Sequence, residues 1–331
     1  MVAMINPIAL IKELARGEHG SRDLSQADAD YLYTAMLDGE VSDIQLGGIL
    51  VALRMKGESD DELIGFYRAC ERHLAPLEQP RGHVRPVVLP SYNGARHLPN
   101  LTPLLALLLV KLGIPVLVHG VADNFGRVDT VAVLRELGVQ PCDSLAQVNQ
   151  RLSTDKLALV FASVLSPGLS RLLDMRAVLG VRNTAHTLAK MMSPFEGDAL
   201  RLVSVSHPAY LDKMRVFFVH SGQRALVLRG TEGEPFANPK RRPELCYCAD
   251  GHAQMLFEAE TGSLKSLPEL PATIDAVSCA RWINQVLAGE RPIPQPIVDQ
   301  LACCVLGVGL ADSLTAAVAT VAMHIDHLSL V

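Results

Sequence analysis

The chain has 331 residues, 49% of them hydrophobic, which suits one large domain or a large and a small one. No uninterrupted apolar run approaches the roughly 20 residues of a spanning helix, since Lys111, Gly113 and Pro115 break the longest, and no basic-then-apolar leader opens the chain. The net charge of −5 is uneven: residues 1–80 hold 7 basic and 14 acidic residues, whereas residues 171–242 hold 12 basic and 6 acidic. A basic stretch in an acidic protein is a candidate polyanion site, set against the plainer reading of a solvated face. These features predict a soluble cytoplasmic protein with no membrane partner.

The first 75 or so residues read as helices. Ser25 can cap a helix that runs to about Leu37 and stops at Gly39. Ser42 and Ser59 each open a capping box, with Gln45 and Glu62 at the fourth positions. From about Val87, short β-branched runs alternate with helical segments: "PVVLP", "LLALLLVKLG", "PVLVHG", "DTVAVLRELG", "LALVFAS", then "LRLVSVSH" and "ALVLRG". That rhythm predicts a mostly parallel sheet flanked by helices, an α/β class. "LCYCAD" and "AQMLFEAE" read as a later antiparallel pair, and the chain from Thr273 reads as helical. The expected domains are a helical one over 1–78, joined by helices from about 168–192, and an α/β one over 79–331.

Seven scattered cysteines predict reduced thiols. Cys246 and Cys248 with His252 could form half a metal site, but a strand with both cysteines on one face explains the spacing better. No resident metal or cofactor is expected.

"LPSYNGARHLPNLTP", Leu89 to Pro103, follows a strand and opens a helix, where α/β proteins bind phosphate. It has one glycine, Gly94. The stretch Leu24–Cys70, with "DGE", "QLG", "ALRMKGE" and "DELIG", resembles the helical domain of anthranilate phosphoribosyltransferases, and the likeness extends more weakly over nearly the whole chain. The resemblance implies a small helical domain on a larger α/β domain, in the nucleoside phosphorylase/phosphoribosyltransferase fold, and a homodimer formed through the helical domain.

The resemblance fails at the catalytic motifs. The family's glycine-rich Gly-Thr-Gly-Gly-Asp-Gly loop aligns with "SYNGAR", and its Asn-Ile-Ser-Thr with "NLTP". Backbone N–H groups converge on a phosphate most easily where no Cβ intervenes. The residual phosphate-binding candidates are therefore Asn93, Gly94, Arg96, Asn100, Thr102 and His119, with helix capping the competing role for Asn100 and Thr102. In the second motif Val118 and Ala122 stand where the family has a lysine and an arginine. In the third, the family's magnesium-binding Asp-Glu pair aligns with about Pro235 and Phe236, while Glu232 and Glu234 lie nearby.

Basic residues accompany these losses. Arg182, which aligns with a family arginine near the aromatic substrate, joins Lys190, Arg201, Lys213, Arg215, Arg224, Arg229, Lys240, Arg241 and Arg242 as nucleic-acid-binding candidates. Arg201, Arg224 and Arg229 are expected to flank strands that end near the altered site. This pattern resembles the YbiB-like branch of the family, which implies a non-enzymatic protein that binds single- or double-stranded DNA or RNA through its phosphates, without sequence preference. Tyr92, Phe195, Tyr210 and Phe236 are the available aromatics for base stacking, with core packing the plainer role for each. The alternatives are a pentosyl (phosphoribosyl) transferase of altered substrate, which would need magnesium, and a scaffold that binds another protein.

Overall fold

The computed structural model describes residues 7–17, 20–121, 126–262 and 269–329, with side chains to 324. In chain order, helices α1 (Pro7–Leu14), α2 (Gln26–Asp38), α3 (Asp43–Lys56) and α4 (Asp60–Arg72) come first. Strand β1 (Val87–Ser91), α5 (Thr102–Lys111), β2 (Val116–Gly120), α6 (Thr130–Glu136), α7 (Leu145–Thr154) and β3 (Leu157–Phe161) follow. Helices α8 (Ala162–Leu165), α9 (Pro167–Leu179) and α10 (Ala185–Leu188) intervene before β4 (Leu200–Val205), α11 (Pro208–Ser221) and β5 (Ala225–Arg229). Strands β6 (Leu245–Ala249) and β7 (His252–Phe257) precede α12 (Ala276–Leu287), α13 (Gln295–Gly307) and α14 (Leu314–Ser329). Two units result: residues 1–76 with 162–194, and residues 77–161 with 195–331.

The helical unit starts its helices as the capping residues predict. Ser25 accepts from the Asp28 N–H, and Gly39 closes α2 in the left-handed region. Ser42–Gln45 and Ser59–Glu62 both form complete capping boxes. Glu62 does more than cap. Fully buried, its carboxylate accepts from the N–H groups of Leu24 and Ser59 and from Lys56 Nζ at 2.6 Å. It thereby fastens the loop before α2 to the α3–α4 junction.

The α/β unit holds a seven-stranded sheet in the order β3-β2-β1-β4-β5-β6-β7. Strands β1 to β5 are mutually parallel, and the β5–β6 and β6–β7 pairs are antiparallel. Alternate residues of each parallel strand, among them Val87, Leu89, Val116, Val118, Leu200, Leu202, Leu226 and Leu228, pack into one core with α5, α12 and α13. In α5, Leu104, Leu105, Leu108 and Leu109 are all buried; each stabilises the fold by about 1.5–3 kcal/mol. This packing sets α5 so that its first residues and the end of β1 share the carboxyl edge of the sheet, where α/β folds place their ligands.

Replacing Glu62 with Ala is expected to cost about 2–4 kcal/mol, because a mostly buried ammonium and two N–H groups lose their acceptor. Ser59→Ala, which removes only one cap, is expected to cost about 1 kcal/mol. Urea unfolding followed by far-UV circular dichroism measures both, and equal costs would reduce Glu62 to a simple cap.

Candidate functional site

The loop after β1 and the segment after β5 meet at the carboxyl edge. Two glycines make the approach possible. A Cβ on Gly120, at the end of β2, would stand 2.1 Å from the Ser91 carbonyl oxygen, and one on Gly230 would stand 2.0 Å from that of Glu234. Gly94 turns the β1 loop with φ +64, a conformation that favours glycine.

Into this loop projects Glu234, fully buried. Its Oε1 accepts from the Asn93 N–H at 2.7 Å and the Gly94 N–H at 2.8 Å. Its Oε2 accepts from the hydroxyls of Ser91, Thr102 (3.2 Å) and Thr130 (3.3 Å). Two residues earlier, Glu232 accepts from three consecutive backbone N–H groups, Arg96 (3.0 Å), His97 (2.8 Å) and Leu98 (3.1 Å). Such convergent N–H groups are the chemistry that binds phosphate oxygens. Here the protein's own carboxylates accept from them.

The segment that carries the glutamates is fastened on several sides. The Asn93 amide donates to the Glu232 carbonyl at 2.7 Å, and Ser204 Oγ donates to the Gly233 carbonyl at 2.7 Å. Gln300 of α13, itself buried, takes the Ala237 N–H and donates to the Pro235 carbonyl. Arg127 Nη1 lies 3.6 Å from Glu232 and donates to the Gly94 carbonyl. Glu232 holds φ +53, unusual for a residue with a side chain. That strain, of order 1–3 kcal/mol, is offset by the three N–H bonds its carboxylate receives.

The remaining phosphate candidates are also engaged. Asn100 donates to Val128 O and Thr130 Oγ1 and accepts from the Thr102 N–H, so it fixes the turn into α5, whose N-cap is Leu101, and positions the Thr130 hydroxyl. His119 is buried and pairs through Nδ1 with the Tyr92 hydroxyl at 2.7 Å; its Nε2 is buried with no hydrogen-bond partner among the described residues. Burial pushes its pKa down to about 3, so the imidazole is neutral near pH 7 and supplies no charge for a phosphate. Arg96 lends its backbone N–H to Glu232 and exposes its guanidinium. Ala122 lies outside the described residues.

The family's magnesium motif has no counterpart. Phe236 is buried in the core, and the nearby carboxylates of Glu232 and Glu234 face hydrogen-bond donors. A ring of N–H and O–H donors suits an anion and opposes Mg²⁺, which requires oxygen acceptors. The residues present do not fit that ion.

The basic candidates separate by position. Arg201 is the second residue of β4 and Arg224 precedes β5, so both lie at the amino edge of the sheet, not near the cradle as expected. There Arg224 pairs with Asp198 and Asp250 and donates to the Tyr247 hydroxyl, while Arg201 is buried against backbone carbonyls. Arg215 pairs with Asp212 and Glu244, and Arg242 with Asp299 while stacking 4.8 Å over Phe257. Lys213 lies over the Tyr210 ring. Arg229 ends β5, exposed, at the carboxyl edge, and Lys240 and Arg241 are exposed in the loop that leads into β6. Arg241 donates to the Gly262 carbonyl. Arg182 and Lys190 belong to the helical unit, where they and Arg176 lie close enough to reinforce burial in holding His186 neutral, with its pKa down to about 3. Tyr92 and Phe236 are fully buried and Phe195 nearly so, which leaves Tyr210, half-buried beneath Lys213, as the one of the four candidate aromatics outside the core.

Residue typing alone passed over Ser91, Arg127, Thr130, Glu232 and Glu234 as parts of the site. The available signal was "RGTEGE", two glutamates spaced by a glycine directly after a strand.

Burial opposes the charge of Glu232, but the N–H bonds of His97, Arg96 and Leu98 outweigh it and hold the carboxyl below its ordinary 4.5. A depressed folded-state pKa contributes stability above the unfolded value, and that stability is lost as pH falls through the folded value. Between about pH 5 and 3, wild-type stability should therefore fall more steeply than that of Glu232→Gln, as read by urea midpoints across pH. Parallel curves would mean that the three N–H bonds do not favour the ionised form.

The helical bundle domain of a glycosyl transferase family matches residues 8–73. The chain is 44% identical over 313 residues, 94% of its own length and 97% of the other's, to the uncharacterized protein YbiB of Escherichia coli (strain K12). It is 26% identical over 314 residues, 92% of each chain, to the anthranilate phosphoribosyltransferase of Novosphingobium aromaticivorans. The crystal structure of anthranilate phosphoribosyltransferase from Thermus thermophilus superposes with a TM-score of 0.76 at 25% identity, covering 97% of this chain and 95% of that one. With a helical unit, a mostly parallel sheet and these relatives along nearly its whole length, the chain belongs to the anthranilate phosphoribosyltransferase-like family.

Proposed function

We propose that this chain is a non-catalytic member of its family that binds the phosphate backbone of nucleic acids. The observation that carries the loss of catalysis is the buried Glu234 carboxylate, which accepts from Asn93, Gly94, Ser91, Thr102 and Thr130. Donors already engaged this way are not available to a substrate diphosphate, and an anion entering beside Glu232 and Glu234 meets like charge. Binding is assigned to the exposed cations of the carboxyl edge, Arg229, Lys240 and Arg241, with Arg96 of the neighbouring loop. None of the four has a carboxylate partner among the described residues. With few accessible aromatics, phosphate contacts dominate, and affinity falls steeply with salt.

Kinship favours a second reading, a pentosyltransferase of altered substrate, because the named relatives are mostly anthranilate phosphoribosyltransferases. It requires the Glu232–Glu234 segment to leave the cradle. Release of diphosphate from phosphoribosyl diphosphate in the presence of anthranilate or another aromatic amine would establish it and overturn the first reading.

The homodimer belongs to the same proposal. On α3, Ile44, Gly48, Val51 and Met55 recur at helical spacing on one exposed side, with Ile44 91% and Met55 82% exposed. A second copy of the chain is the proposed cover. Ile44→Glu with Met55→Glu should halve the mass measured by light scattering, and an unchanged mass would reject this face.

The binding test is fluorescence anisotropy of a labelled single-stranded oligonucleotide across a salt series. The triple variant Arg229→Ala, Lys240→Ala, Arg241→Ala should bind more weakly and lower the slope of log affinity against log salt by about 2, at about 0.7 per lost phosphate contact. Arg224→Ala, at the other edge, should leave that slope unchanged. Equal effects from both variants, or no binding at low salt, would reject the assignment.

A further inference from the structure

One face of the β6–β7 hairpin gathers sulfur. Cys246 and Cys248 stand two residues apart on β6, so both thiols project to the same side of the sheet. Leu245 and Tyr247 turn to the opposite side, into the core with α12 and α13. The cysteines lie on the side that α11 covers, where both are buried and their thiols are hydrogen-bonded to each other. The strand register adds a third sulfur. Met255 of β7 is the cross-strand partner of Cys246. Directly opposed residues of an antiparallel pair share a face, with Cβ atoms about 4.5–5.5 Å apart. His252 opposes Ala249 and so falls on the other face, which removes it as the third ligand that the sequence spacing offered. Arg215 of α11 brings a positive charge. Its Nη atoms pair with Asp212 and Glu244, while its Nε is buried with no hydrogen-bond partner among the described residues. The guanidinium lies within electrostatic reach of both thiols.

We propose that Cys246, Cys248 and Met255 form a binding site for cuprous copper, with Arg215 beside it to balance the charge. Thiolate and thioether sulfur are soft donors that select Cu(I), an ion content with two or three ligands. Zinc would need a fourth ligand in a tetrahedron. None is offered here, because His252 faces away and Glu244 is engaged by Arg215. As the ion binds, each thiol gives its proton to solvent. One Cu⁺ on two thiolates then carries a net negative charge, and the Arg215 guanidinium offsets it from the second shell. A disulfide fits the same pair less well. Residues two apart on an extended strand have Cα atoms about 6.6–6.8 Å apart, at the upper end of the roughly 4.4–6.8 Å that a disulfide spans. An ion held between the sulfurs leaves the strand extended. Ordinary core packing is the competing role for two buried cysteines, but it requires neither a charged group beside the thiols nor a third sulfur opposite them. The site lies on the face of the sheet and is independent of the proposed nucleic-acid binding.

The test uses the full, reduced chain under anaerobic conditions, with Cu(I) presented by a chromogenic cuprous chelator. Wild type should withdraw one equivalent from the chelator, and X-ray absorption should show a first shell of sulfur only. Cys246→Ala with Cys248→Ala should lose that equivalent. Cys303→Ala with Cys304→Ala, which removes the adjacent buried pair on α13, should keep it. Met255→Leu, which conserves volume, and Arg215→Gln should each weaken binding by about tenfold or more. If the Cys246 and Cys248 double variant does not fold, Met255→Leu, which leaves both thiols in place, decides the matter. No withdrawal by wild type, nitrogen in the first shell, or unchanged affinity in Met255→Leu would each overturn the proposal. So would an equivalent that survives the loss of Cys246 and Cys248, which would be adventitious copper only, or one that vanishes with Cys303 and Cys304.

Discussion

The buried carboxylate of Glu234 is the interaction on which the carboxyl edge of the sheet depends. Five donors from the end of β1, the loop after it, the start of α5 and the start of α6 meet at its two oxygens. These segments lie far from Glu234 in sequence, and the carboxylate is the one acceptor that their donors share. Donors aimed into a common space without an acceptor would each forgo a hydrogen bond that water supplied in the unfolded chain. In a ligand-binding protein that deficit is tolerated because solvent or substrate visits the site. Here it is met by a side chain of the chain itself, on a segment whose neighbouring carbonyls, those of Glu232, Gly233 and Pro235, are held by Asn93, Ser204 and Gln300.

The same logic orders the charged residues. At the amino edge of the sheet, Arg85 and Arg224 share Asp198, and Arg224 also reaches Asp250. These ion pairs are only partly buried and screened, so they add little stability individually. Their effect is to neutralise that edge. At the carboxyl edge Arg229, Lys240 and Arg241 keep their charge exposed. The basic excess seen along residues 171–242 is thus split by the fold into a compensated group and an uncompensated one. A count along the sequence cannot make that division, because the partners Asp250, Glu244 and Asp299 lie outside the stretch, and Asp198, within it, is 26 residues from Arg224.

What was legible in the sequence was what short-range physics decides. Serine caps and their capping boxes mark α2, α3 and α4, and the alternation of β-branched runs with helical segments marks the parallel sheet. The antiparallel β6–β7 pair is also visible, from two short runs joined by a turn. The placement of Arg201 and Arg224 was legible in principle: both precede or begin a strand, so a parallel sheet puts them away from the carboxyl edge. What was not legible is the acceptor of the cradle. Glu234 is 143 residues from Ser91 and 104 from Thr130, and nothing local in "RGTEGEP" distinguishes a buried acceptor from a solvated one. His119 shows the same limit: its residue type suggests a ligand contact, and only its burial against Tyr92 shows that it is neutral.

The departures of the β1 loop from a glycine-rich pattern can therefore be read as gains as well as losses. Ser91 adds a hydroxyl where glycine would offer none, and that hydroxyl donates to Glu234. Tyr92 adds bulk, and the bulk is buried with its hydroxyl on His119. The one position that still needs a positive φ, Gly94, is still glycine, and its N–H is one of the two that the carboxylate receives. A loop that had merely decayed would carry substitutions without partners. Here the polar substitution finds an acceptor, the aromatic one finds a core, and the retained glycine is the residue the backbone geometry demands. The physical content of the loop is a convergent set of donors whose acceptors are carboxylates of the chain itself.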